Sequence, residues 1–205
     1  MQKIQPDKHD LRIYQKVGRV DAKSLDSVDQ LLLILPAKPS KADFDKLPQG
    51  AKMQAVYRKH LAGATPAFTT RLANKKQTLV VAGTVAATAS TFEQLTLGRK
   101  LVAAATGQKA GSLGICAVGF DAERQGELVN NVLAAALAAA FKLPAFKSKA
   151  EPATIKNIRL LGVEKTIDTV RTEAEAKGHN LARWLTTLPP NFLDANNYAD
   201  LAKSM

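Results

Sequence analysis

The chain has 205 residues, with 29 Lys and Arg against 18 Asp and Glu and a formal net charge of +11. A hydrophobic fraction of 46% excludes disorder, and a chain of this length buries roughly 70% of its unfolded surface in one core. The single cysteine, Cys116, excludes a disulfide framework and every multi-cysteine zinc site.

The opening MQKIQPDKHD places charges where a signal peptide carries its apolar stretch. The longest apolar run, Val132 to Phe141, is far below the ~20 residues that span a bilayer. A soluble, cytoplasmic chain is the expectation. Residues 1–76 hold 15 Lys and Arg against 7 Asp and Glu, whereas residues 77–205 hold 14 against 11. Such a basic segment serves either an acidic partner such as nucleic acid or a solvated surface. The solvated surface is preferred, because the lysines alternate with acids and form no run.

In chain order, Leu11–Val17 alternates apolar and polar residues and suits an edge strand, and Gln30–Leu35, stopped by Pro36, reads as a buried strand. Residues 37–50, with two prolines just after Pro36, read as a loop. Lys52–Leu61 carries Met53, Val56, Tyr57 and Leu61 at helical spacing, with Gly63 as its stop. Ala67–Leu72 and Thr78–Ala82 flank a polar turn and read as a hairpin. A helix capped by Thr91 then carries Phe92, Leu95, Leu97, Leu101 and Val102 to Gly107. Ser112–Phe120 reads as a strand, and Asp121 opens a helix over Glu123–Phe141 that is apolar nearly all round and therefore buried on more than one side. Thr154–Leu161 is a further strand. A long charged helical stretch from Val163 to Leu188 turns Ile167, Val170, Ala174, Leu181 and Leu185 inward, and Gly178 is its weak point. Pro189 and Pro190 stop it, and Asp194 caps a last helix from Ala195. The alternation of strand and helix predicts an α/β sandwich with a largely parallel sheet.

Catalytic motifs are missing. No P-loop, dinucleotide fingerprint or nucleophile elbow occurs. His9, His60 and His179 are scattered and lack partners at metal-binding spacing, so they read as surface histidines. Cys116 sits mid-strand and reads as a small buried hydrophobe. Asp121, Glu123 and Glu127 bunch at a helix start, where they complement its dipole. These residues build no catalytic or metal site.

The segment from Gly178 to Leu193 carries a recognisable pattern. Asn180, Leu181, Ala182, Arg183, Leu185, Pro189, Pro190 and Asn191 fall on the order Gly-x-Asn-Leu-Ala-Arg-x-Leu, spacer, Pro-Pro-Asn. This resembles a marked segment of the leucine (cytosol) aminopeptidase family. A looser match lies in the alanine-rich run Ala134–Phe141, the Phe146-Lys147-Ser148-Lys149 loop and the strand from Thr154. Trp184 stands where members carry an acid, and Thr186-Thr187 replace the usual Val-Asn, which marks a divergent branch. Residues 1–76 show no family motif.

The resemblance implies a three-layer, macro-domain-like N-terminal α/β domain over residues 1–162 and a linking helix over 163–188. Residues 189–205 would then begin a catalytic domain. It implies a parent that removes N-terminal residues from peptides as a homo-hexamer. Two divalent ions, manganese or zinc, would polarise the scissile carbonyl and activate water there. The family's metal ligands and its Asn-Thr-Asp-Ala-Glu-Gly-Arg signature have no counterpart in this chain, so no metal or catalytic residue carries over. The residues implied are structural: Pro189 and Pro190 set the turn, Asn191 suits exposed backbone there, and Arg183 suits an acid on the catalytic domain. Trp184 is either an inter-domain or inter-subunit anchor or packing for this domain's own sheet. The alternative function is a basic binding module for nucleic acid or a nucleotide-like ligand.

Overall fold

The computed structural model describes residues 10–60, 67–107, 111–143 and 155–204. Six strands form one sheet: β1 (Arg12–Val17), β2 (Gln30–Pro36), β3 (Phe68–Arg71), β4 (Leu79–Val85), β5 (Ser112–Ala117) and β6 (Asn157–Val163). Their order is β1-β6-β5-β2-β4-β3. Every neighbouring pair is parallel except β3 and β4, which form the expected antiparallel hairpin with Phe68 opposite Ala82.

Two cores, one on each face of the sheet, make the fold a three-layer α/β sandwich. Along β2, Leu32 and Ile34 point to one face while Leu31, Leu33 and Leu35 point to the other. A strand flanked by strands and covered on both faces needs an unbroken apolar run, which is what Gln30–Leu35 supplies. The first face is covered by α4 (Thr91–Thr106) and α5 (Ala122–Ala140), through Leu101, Val129, Val132 and Leu133. α6 (Val170–Thr187) packs on the far side of α5, which explains a helix that is apolar nearly all round. Leu25, Phe44 and Met53 cover the second face, from α1 (Ala22–Asp26), α2 (Lys41–Asp45) and α3 (Gly50–Tyr57). A last helix, α7, spans Ala195–Ser204, and Asp194 accepts from its Asn197 N–H at 2.8 Å.

Several local expectations are corrected. The stretch 37–50 contains α2, stabilised by a capping box in which Ser40 and Asp43 bond reciprocally, so only part of it is loop. The cap of α4 is Ser90 rather than Thr91, again with a reciprocal partner, Glu93. The linking helix begins at Val170 and not directly after Val163. Residues 164–169 are held out of helical form by two glutamines: Gln15 exchanges hydrogen bonds with both the N–H and the carbonyl of Ile167, and Gln125 accepts from Glu164 N–H. Within α6, Val170 is 74% exposed and Ala174 is exposed, while Ala176, Asn180 and Trp184 are buried. The inward stripe is therefore rotated from the one expected. Thr154, Leu61, Gly63, His9 and the loop Phe146–Lys149 lie outside the described residues.

Candidate functional site

The carboxyl ends of β1, β5 and β6 open into a cleft of about 620 Å³ beside the first turn of α5 and the end of α2. Open α/β sheets bind ligands at this edge, because the loops leaving the strands diverge there. Two residues with positive φ shape it. Gly162 (φ 71) is the extra residue at a bulge between β6 and β1, and a Cβ there would lie 2.7 Å from Val20 Cγ2. Gly119 (φ 85) lets the β5–α5 turn approach Asp43, whose Oδ1 would lie 2.7 Å from an added Cβ.

The polar frame of the cleft is Gln125, which is 4% exposed. Its amide nitrogen donates to the carbonyls of Ala117 (2.8 Å) and Gly162 (3.0 Å), and its oxygen accepts from Glu164 N–H at 2.8 Å. One side chain on α5 thus ties the ends of two strands. Around the rim, Arg19 donates to the Asp45 carbonyl at 2.9 Å, and Lys46, Asp45 and Glu164 complete a mixed set of charges. The lining contains no histidine, cysteine or serine. Its chemical groups are the guanidinium, ammonium and carboxylates of the rim and the Gln125 amide. Among the described residues, no three His, Cys, Asp or Glu side chains converge on a point that could hold a metal.

Two other titratable groups are set by their surroundings. Cys116 is fully buried, and burial pushes its thiol up to about 12. It should resist maleimide in the native state and react fully in denaturant; stoichiometric native labelling would contradict its placement. Asp29, just before β2, accepts from the N–H groups of Gly111 (3.0 Å) and Ser112 (2.8 Å) and from Ser112 Oγ, and pairs with Lys76 at 2.9 Å. Burial alone would raise its pKa, but the bonds from Lys76 and Ser112 outweigh it and hold the carboxyl below the usual 3.8. The native state therefore binds fewer protons than the unfolded chain near that value. The stabilisation is present above pH 3.8 and lost as pH falls through the lower native value. Urea midpoints measured between about pH 5 and pH 2 should fall with acid, and less steeply in Asp29→Asn than in the parent. Equal slopes would contradict the network.

The residues marked by the aminopeptidase-like pattern lie away from the cleft, on and after α6. Asn180 and Arg183, one turn apart, reach the last turn of α5: Asn180 Nδ2 donates to the Leu137 carbonyl at 3.4 Å, and Arg183 Nη1 donates to the Ala138 carbonyl at 2.9 Å and to Asn180 Oδ1 at 3.0 Å. They occupy carbonyls that the end of a helix leaves without partners, and the guanidinium also complements the dipole of α5. Trp184 is 6% exposed and lies outside both main cores. Leu188 has the extended backbone that a following proline imposes, and α6 ends there. The turn is closed by Phe192 and Leu193 N–H groups on the Pro189 carbonyl, while the Asn191 side chain is exposed and makes no bond among the described residues. Gln15 and Gln125 were missed as organising residues. The available signal was Gln125 in register with Leu128, Val129 and Val132 on the buried face of α5.

Fold and cleft together define a three-layer α/β domain with a mostly parallel sheet and a polar cleft at its carboxyl edge. This architecture is similar to the solved structure of a mutant tomato leucine aminopeptidase, with a TM-score of 0.71 and 18% sequence identity. The match covers 98% of this chain and 43% of that one, so the chain spans less than half the length of its structural neighbour. No family model and no curated protein matches the sequence.

Proposed function

We propose that this chain is the non-catalytic N-terminal domain, with its linking helix, of a leucine aminopeptidase-like dinuclear metalloexopeptidase. The observation that carries the reading is a likeness of fold along nearly the whole chain to less than half of an aminopeptidase. The Asn180–Asn191 pattern supports it independently, since its Asn180 and Arg183 fasten α6 to α5. The catalytic domain would supply the manganese or zinc ions and the hydrolysis. This domain would serve assembly of a homo-hexamer and access of peptide substrates, in the cytoplasm. No described helix is long and apolar enough to cross a membrane.

The test is an assay of the pure 205-residue chain on leucine p-nitroanilide with added manganese or zinc. No hydrolysis above the metal blank is expected. Activity that co-purifies with this chain to homogeneity would overturn the assignment.

A further inference from the structure

Alternation along β1 sets Ile13 against the core of α4 and α5 and sends Arg12, Tyr14 and Lys16 to the opposite face. In β6 Arg159 lies in register with Tyr14, and its guanidinium carbon sits 4.7 Å from the Tyr14 ring centroid. Next to α1, a second cleft of about 210 Å³ is lined by Tyr14, Lys16, Lys23 and Arg159. Lys16 is engaged with Asp21 at 2.7 Å. Among the described residues Lys23 has no hydrogen-bonded or ionic partner, and Arg159 has only the ring, its Nε being buried with no acceptor.

A buried donor left without an acceptor is unfavourable, and the ring contact offsets this only in part. Three cations against the single carboxylate of Asp21 leave two positive charges facing a small cleft. Two uncompensated charges suit a dianion. The volume is below the roughly 300–1,000 Å³ that holds a drug-sized molecule, and the planar fork of arginine matches phosphate oxygens.

We propose that this cleft binds a phosphoryl group, from free phosphate or a small phosphate monoester, through Arg159 and Lys23 with Lys16 behind them. The proposal is independent of the aminopeptidase reading. The test titrates the full chain with inorganic phosphate, and separately with glycerol phosphate, at constant ionic strength, following the Arg159 Nε–H resonance by NMR. A saturable shift is expected, with binding roughly tenfold weaker in Arg159→Gln. Lys23→Gln alters only an exposed side chain and should also weaken binding, whereas Lys165→Gln should not. Tighter binding of one probe identifies the source of the phosphoryl group. A shift that fails to saturate, or variants that bind as the parent does, would overturn the proposal. So would binding of a single-stranded oligonucleotide without saturable phosphate binding.

Discussion

Gly50→Ala should destabilise the protein by about 3 kcal/mol or more, lowering the melting temperature by roughly 6 °C or more for a chain of this size. A Cβ at Gly50 would lie 1.8 Å from the Phe44 carbonyl oxygen and 2.6 Å from its carbon. Both atoms are backbone, so no rotamer change relieves the overlap, and the start of α3 must move off the end of α2. That movement is resisted on both sides. Phe44 is fully buried and meets the Tyr57 ring at 5.9 Å, and Gly50 N–H is bonded to the Leu47 carbonyl. The same substitution at Gly126, in the second turn of α5, meets nothing within 4 Å. There it should stabilise by about 0.5–1 kcal/mol, because alanine has less backbone freedom to lose. Paired thermal melts check both signs, and a loss of under 1 kcal/mol at Gly50 would contradict the close approach of the two helices.

Gln125→Leu should cost about 2–3 kcal/mol, although leucine suits a helix and a buried position. The change strands the Ala117 and Gly162 carbonyls and the Glu164 N–H together. Water entering from the adjoining cleft recovers part of that loss, which keeps the figure below the sum of three orphaned groups. Because the amide ties β5 to β6 and fixes the chain after β6, amide exchange should accelerate at Glu164 before it does in β2. A variant as stable as the parent would show that the strand ends hold their positions without the clasp.

The sandwich was legible wherever burial on both faces forces long apolar runs, as in β2 and β5, or where α5 repeats alanine and leucine around its whole circumference. Short amphipathic pieces were not. α1 is five residues long and buries only Ser24 and Leu25, so no period can be read from it. α2 hides between prolines, and only its capping box, Ser40 with Asp43 three residues on, betrays it. The stripe of α6 was misplaced because the side chain fastening it to α5 is polar. Asn180 is buried by the hydrogen bond it makes, and a hydropathy pattern ranks it as exposed.

The same physics separates what could be read of the site. The Pro-Pro stop after α6 is local chemistry and needs no tertiary knowledge. The larger cleft is assembled from Val20, Gly119 and Gly162, far apart in the chain and brought together only by the strand order β1-β6-β5. Along β1 the basic and aromatic residues alternate with inward ones, so Arg12, Tyr14 and Lys16 form a cationic face that a search for a continuous basic run passes over.

We propose that this chain works as one domain of a larger aminopeptidase-like protein. The most direct test is the mass of the endogenous species in its source cells, by immunoblot and intact mass spectrometry. The account predicts a species much heavier than 22.0 kDa; a stable native protein of 22.0 kDa would contradict it.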